Sequence, residues 1–329
     1  MITWPHAHGD WRAALPDVEP VYMQLARHIT RRENLLIGCW DEAHAAHVRK
    51  RLEEAGADPR HVILRNVHSN DTWTRDYGPI TILEQGKPRL LDFIFNGWGN
   101  KFSASLDNQV TRRLHEAGVF GQAPLSTIDL ILEGGSIEVD GQGSLLTTEN
   151  CLLAPSRNPH LGRTQIEEQL RMWFGVERIL WLSHGHLVGD DTDSHIDTLA
   201  RFCDPRTIAY VSCDDTEDEH YDALQQMEAE LRSFRDYQGN PYRLVPLPWP
   251  AAKYDEEDGR RLAASYANFL IINGAVLIPT YEDPADAETL RRLQACFPGR
   301  EIIGVPCLPL IRQNGSLHCI TMQLPAGVL

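Results

Sequence analysis

The sequence predicts an α/β fold in which one unit, a β-hairpin, a helix and a further strand, recurs along the chain as a five-bladed α/β propeller. Three observations lead there. Alternating apolar runs are broken at Asp140-Gly141 and Asn273-Gly274, dipeptides that supply the positive φ a tight hairpin needs. Each hairpin is followed by a helix-period apolar face and then by a short strand, in the same order each time. The two chain ends each supply only part of a unit, so pairing them would complete one and remove an exposed edge.

Taken in order, the N-terminal part unit has a strand at 35–39, a helix begun by Asp41 and ended by Gly56, and a strand at 62–64. The next has a hairpin of 80–83 and 90–95, a helix face of Leu106, Val110 and Leu114, and a strand at 128–132. The third pairs the halves of 137–147. Thr164 and Glu167 then form a capping box for a helix carrying Ile166, Leu170, Trp173 and Phe174, Gly175 stops it, and 179–182 is the strand. In the fourth, 196–202 and 207–212 flank Asp204-Pro205, Leu224, Met227 and Leu231 mark the helix, and 242–247 extends. The fifth pairs the halves of 269–279, starts its helix at Asp283-Pro284, carries Leu290, Leu293 and Phe297, and ends in a strand at 302–305. A C-terminal strand at 317–323 is expected to complete the first unit. No linker or low-complexity tract interrupts the series, so residues 1–329 read as a single domain. An ordinary layered α/β sheet remains the alternative on pattern alone.

The composition narrows the partners. Lysine and arginine number 31 against 46 aspartates and glutamates, a formal charge of −15, the wrong sign for gripping a phosphate backbone. No nucleic-acid partner is expected. No apolar run approaches a bilayer span and no basic, then apolar, leader opens the chain, so no membrane association and a cytoplasmic setting are expected. The seven cysteines include no C-x-x-C pair and read as thiols. The sequence leaves the oligomeric state, including a homo-oligomer, open.

Polar residues at or just ahead of each unit's first strand are the candidates for chemistry: Asp76, Glu133, His195 with Asp197, Asn268 and Cys319. A ring would bring these corresponding ends to one axis and make an acidic pocket holding one cysteine and one histidine. A guanidinium is planar and permanently charged, and two carboxylates can accept its paired N–H groups; Asp76 and Asp197 are the pair. Cys319 is the candidate nucleophile toward the central carbon, His195 the acid and base, and Glu133 the group that orients His195. The net reaction would be hydrolytic loss of ammonia. Each residue also has a structural reading: Asp197 on a solvated edge, Glu133 in a turn, Asn268 as a cap, Cys319 in the core, and Trp73 and Trp98 in packing or against an alkyl chain or cation. His184-Gly185-His186 with Asp190, Asp191, Asp193, His195 and Asp197 offers the atoms for a metallohydrolase, without a known zinc spacing.

Several long motifs occur in order along almost the whole chain: Trp4-Pro5-His6, Trp73-Thr74-Arg75-Asp76-Tyr77-Gly78-Pro79, Phe95-Asn96-Gly97-Trp98-Gly99-Asn100-Lys101, Glu133-Gly134-Gly135-Ser136, Asn158-Pro159-His160-Leu161, Thr192-Asp193-Ser194-His195-Ile196-Asp197, Tyr266-Ala267-Asn268 and His318-Cys319-Ile320-Thr321. At these residues the chain resembles the agmatine deiminase branch of the guanidine-modifying superfamily, beside the bacterial peptidylarginine deiminases. The resemblance implies the pentein fold, a five-bladed α/β propeller. It implies Cys319 as nucleophile, His195 as acid and base, and Asp76 and Asp197 as guanidinium ligands. It also implies that Trp73 and Asp191 line the guanidine site, and that no metal or organic cofactor takes part. Two departures stand out: Gln313-Asn314-Gly315-Ser316-Leu317 where the family usually has a triple-glycine run, and Ser194 where glycine is common. Both bear on the far end of the substrate. Agmatine, cationic at both ends, suits the acidic chain; arginine or peptidyl-arginine is the alternative substrate, with Arg157 and Arg312 as arginines able to reach a carboxylate. A non-catalytic binding propeller is the remaining reading.

Overall fold

The computed structural model describes residues 1–329. It contains five three-stranded sheets and one of two strands, and the chain divides into two units that interleave in sequence. The first comprises residues 1–134, 270–274 and 317–329; the second comprises 135–269 and 275–316.

In the first unit, Leu35–Cys39 is the central strand of an all-parallel sheet, flanked by Ile2–Thr3 and Val62–Asn66. Parallel neighbours need a crossover, supplied by the helices Leu15–Thr30 and Glu42–Ala55. The former buries Val18, Tyr22, Leu25 and Ile29, spaced four, three and four apart as one helix face requires. Each such buried side chain contributes about 1.5–3 kcal/mol. Asp41 caps the latter by accepting from His44 N at 2.8 Å, and Gly56 ends it, as expected. The second sheet of this unit pairs Ile80–Glu84 antiparallel with Lys87–Ile94, which runs parallel to Leu125–Ile131 after the helix Asp107–Glu116. The hairpin turns at Gln85-Gly86, both at positive φ, 52° and 78°, the geometry that keeps the strand twist.

The second unit repeats this order. Ile137–Val139, Ser144–Thr148, the helix Arg163–Phe174 and Arg178–Leu182 form one sheet with its crossover; Ala200–Asp204, Thr207–Val211, the helix Tyr221–Ser233 and Arg243–Leu247 form the next. Ala275–Thr280 then runs parallel to Glu301–Pro306 across the helix Ala285–Cys296.

Three expectations need correction. The segment 317–323 is a turn at 317–320 followed by irregular chain, not a strand. Ile2–Thr3 takes the place beside Leu35–Cys39, and the chain ends meet through Met1 N to Met322 O (2.7 Å) and Met322 N to Met1 O (2.9 Å). The helix Arg163–Phe174 is capped two residues earlier than Thr164 and Glu167 suggest: Gln165 Oε1 accepts from Gly162 N at 2.8 Å, half a capping box, because glycine has no side chain to return the bond. Residues Ile196–Thr198 form a 3-10 turn ahead of the strand, because Thr198 donates from both its backbone N–H and its hydroxyl to His195 O.

Candidate active site

The candidate residues fall into two sets, one in each unit. In the first unit the one-turn helix Thr74–Tyr77 carries Asp76, which is buried. The approach to this turn is fixed by two carboxylates, buried Asp107 and half-buried Asp71. Asp107 accepts from Asn70 N (2.6 Å) and Asp71 N (3.2 Å); Asp71 accepts from Trp11 Nε1 (2.7 Å) and Thr72 N (2.7 Å). Burial raises both carboxyls, Asp107 strongly and with Asp71 as a further cause. Tyr77 donates its hydroxyl to Asp71 O at 2.9 Å, closing the loop on itself. Trp73, also buried, packs its ring against Trp11 with centroids 5.6 Å apart.

Asp76 is held from a second side. Trp98 Nε1 donates to Asp76 Oδ2 at 2.9 Å. Trp98 itself sits at φ +56° after Gly97 and meets Phe95 edge-on at 5.0 Å. Trp98 thus does more than pack: its N–H fixes one carboxylate oxygen, a role the sequence did not show.

Cys319 reaches this turn from the far end of the chain. Arg75 N donates to Cys319 O at 3.0 Å and Arg75 Nε to His318 O at 3.5 Å, while its Nη2 also donates to Gln323. Cys319 retains 5% exposure. Glu133, fully buried, precedes Gly134, whose backbone lies so close to Arg75 O that an added Cβ would sit 2.1 Å from it. Within this unit, then, Asp76, Glu133 and Cys319 lie on three backbone segments that touch at Arg75.

In the second unit, His195 and Asp197 are fully buried at the turn Ile196–Thr198. The preceding loop is tied down residue by residue. Asp190 accepts from Thr192 Oγ1 (2.5 Å) and Ser194 N (2.7 Å), Thr148 Oγ1 donates to Ser194 O (2.8 Å), and His195 N donates to Thr192 Oγ1 (3.1 Å). The Arg157 guanidinium, with no exposed side-chain surface, bonds Asp193 Oδ2 at 2.6 Å and Thr192 O at 2.8 Å. These bonds hold Asp193 and Ser194 at φ +65° and +67°. Asn268 Nδ2 donates to Asp197 O at 3.3 Å. Asp191 Oδ2 accepts from Asn314 Nδ2 at 2.8 Å, and Asn314 accepts in turn from Arg260. One of the two departures from the family pattern therefore touches a residue that the resemblance puts in the guanidine site. Cys151 Sγ lies within 4.8 Å of a His195 ring nitrogen, a neighbour that nothing in the spacing signalled.

The His184-to-Asp197 run does not gather as metal ligands. His184 pairs with Glu230 at 2.7 Å, Asp193 is bonded to Arg157, Asp190 accepts from its own loop, and Asp191 is bonded to Asn314. Arg157 is equally committed, and Arg312 Nη2 lies 3.9 Å from Glu256. The groove of about 1250 Å³ at Tyr210, Trp249 and Arg292 contains none of the candidate residues.

The α/β fold of repeated hairpin, helix and strand is shared with solved structures of agmatine deiminases. The chain belongs to the Porphyromonas-type peptidyl-arginine deiminase family, which it matches over residues 1–325. It is 35% identical to the agmatine deiminase of Pseudomonas aeruginosa (strain LESB58), covering 99% of this chain and 92% of that one. A Porphyromonas gingivalis structure, provisionally named an arginine deiminase, is similar at TM-score 0.92 and 49% identity, covering 99% of this chain and 95% of that one. A C. jejuni agmatine deiminase carrying a cysteine-to-serine substitution, with substrate bound, is similar at TM-score 0.89 and 41% identity, covering 97% and 91%.

Proposed function

We propose that this chain hydrolyses agmatine to N-carbamoylputrescine and ammonia, through a covalent amidino intermediate on Cys319. The observation that carries the reading is the junction at Arg75, where Cys319 and the carboxylate of Asp76 are supported by one backbone segment, as the attack on a guanidinium requires. The full-length similarity to agmatine deiminases, one of them with substrate bound, supports the substrate.

In this reading Asp76 and Asp197 accept the guanidinium N–H groups, and Trp73, Trp98, Asp191 and Asn268 shape the pocket around them. The incoming cation offsets the two carboxylates and favours the thiolate. Cys319 Sγ attacks the guanidinium carbon; His195, oriented by Glu133, gives its proton to the departing nitrogen, and ammonia leaves as the C–N bond breaks. Neutral His195 then takes a proton from water, the oxygen adds to the same carbon, and the C–S bond breaks to return the thiol. The whole chain 1–329 is read as one functional domain. The repeated units suit a five-bladed α/β propeller, and the reaction needs no cofactor and suits a cytoplasmic setting. No helix is long and apolar enough to cross a membrane.

A second reading, deimination of arginine or peptidyl-arginine, has the family description and the 49% identical neighbour in its favour. It needs a cation for the substrate carboxylate, and Arg157, one of the two arginines proposed for that task, is committed to Asp193 and Thr192. Parallel assays of ammonia release from agmatine, arginine and a benzoylated arginine ester decide. Agmatine should turn over fastest, with no release by Cys319→Ala; faster turnover of either arginine compound overturns the substrate assignment.

A further inference from the structure

Asp191 is held by a relay whose parts all lie in the second unit. Asn314 Nδ2 donates to Asp191 Oδ2 at 2.8 Å, and Asn314 Oδ1 accepts from Arg260 Nη1 at 2.5 Å. These two neighbours fix which way the amide points. Its oxygen faces a guanidinium and its nitrogen a carboxylate, and the reverse would set donor against donor and acceptor against acceptor. Both bonds are charge-assisted. The local backbone makes the reach possible. After the short helix Leu308–Ile311, Gln313 N donates to Leu310 O (2.9 Å) and Asn314 N to Ile311 O (3.1 Å), and Asn314 adopts φ +68°, a conformation asparagine enters more readily than most residues.

Arg260 belongs to a hairpin. Lys253–Tyr254 pairs antiparallel with Arg261–Leu262, and the turn between them closes on itself through Asp255 N to Arg260 O (2.9 Å) and Arg260 N to Asp258 Oδ1 (2.9 Å). The second strand is anchored, because Arg261 bonds Asp218 at 2.6 Å and Glu219 at 2.9 Å. That strand also meets the loop that carries Asp191. The Gly189 backbone, at φ +89°, lies so close to Arg261 O that an added Cβ would stand 2.3 Å from it. The hairpin is therefore joined to the loop 189–191 at two points, by backbone at Gly189 and through Asn314 at Asp191. The charge of Arg260 is answered within its own turn, by Asp258 at 3.3 Å and Asp255 at 3.8 Å. It reaches Asp191 through a neutral amide instead of a direct ion pair, so the restraint arrives without cancelling the carboxylate's charge.

We propose, on the reading in which Asp191 lines the guanidine pocket, that Asn314 is a positioning residue for the cationic substrate. It couples the Asp191 carboxylate to the hairpin at 253–262, so breaking either bond of the relay weakens substrate binding and leaves the chemical step in place. A hairpin that carries none of the candidate site residues thereby takes part in substrate affinity.

The test measures kcat and KM for ammonia release from agmatine in the unsubstituted chain, Asn314→Gly, Arg260→Ala and the double variant. Glycine takes this left-handed conformation without strain, so Asn314→Gly removes the amide and keeps the backbone. It should raise KM about tenfold with kcat within about twofold. The lost bonds lower the unfolding midpoint in any case, so the readout is the split between KM and kcat, taken well below that midpoint. Arg260→Ala should raise KM in the same direction, and the double variant should match Asn314→Gly, because Arg260 acts on Asp191 through Asn314. An unchanged KM in Asn314→Gly, a fall in kcat as large as the change in KM, or a double variant whose KM multiplies the two single effects overturns the role of Asn314 and leaves the proposed function standing. An unsubstituted chain that releases no ammonia from agmatine overturns the proposed function, and the role of Asn314 with it.

Discussion

Gly134→Ala is the sharpest perturbation of the junction at Arg75. The new Cβ would stand 2.1 Å from Arg75 O, and real Cβ contacts do not fall under 3.0 Å, so the two backbones must part by at least 0.9 Å. The Met322 methyl at 3.1 Å blocks the easy escape. Arg75 precedes Asp76 and Gly134 follows Glu133, so the shift is delivered to two candidate catalytic carboxylates and to Cys319, which hangs from Arg75 N. Overpacking of this kind costs about 1–3 kcal/mol of stability, and a displacement near 1 Å at reacting groups lowers turnover by about a hundredfold. The assay is a urea melt beside kcat for ammonia release from agmatine. Gly299→Ala serves as control, since nothing lies within 4 Å of its added Cβ and its φ is ordinary. If Gly134→Ala kept the control's stability and turnover, the close approach at Arg75 would not support the site.

Other perturbations follow from single bonds. Trp98→Phe removes the N–H donated to Asp76 at 2.9 Å, a bond to a charged group worth about 1.5–3 kcal/mol of stability, so the unfolding midpoint should fall, and kcat/KM on agmatine should fall about ten- to hundredfold as Asp76 loses the group that fixes its oxygen. An unchanged kcat/KM would remove Trp98 from the site. Ser194→Gly relieves a left-handed residue at φ +67° and should stabilise the chain by about 1 kcal/mol in chemical denaturation; destabilisation would mean the serine hydroxyl matters more than the strain. Burial raises the Asp92 carboxyl to about 6 even with Arg112 Nε at 3.0 Å. Between about pH 4 and 6 the folded chain keeps a proton that the unfolded chain has released, so stability falls as pH rises through that window. Relative to Asp92→Asn, the unsubstituted chain should lose about 2–3 kcal/mol between pH 4 and pH 7 in urea melts; parallel pH curves would contradict this.

Elements with a strong period and a clear stop were legible in the sequence. Leu35–Cys39 and the helix from Asp41 to Gly56 lie where the apolar pattern, the cap and the glycine put them. The helix Leu15–Thr30 was not read, because Pro16 and Pro20 look like breakers, although Pro16 falls in its first turn where no N–H is needed. The expected C-terminal strand failed for a different reason. Its alternation is real, but Arg75 takes the Cys319 and His318 carbonyls that a ladder would use. In the site, residue types and motif order pointed to Asp76, Glu133, His195, Asp197 and Cys319. The bonds that hold them, Trp98 to Asp76, Arg157 to Asp193 and Asn314 to Asp191, join residues far apart in sequence and leave no local pattern.

The most direct measurement is the mass of the Cys319 peptide after acid quench of the protein turning over agmatine. A peptide heavier by agmatine less ammonia, absent from Cys319→Ala, is the result expected. Ammonia release that persists in Cys319→Ala, or an adduct carried by another cysteine such as Cys151, would contradict the assignment of Cys319 as nucleophile.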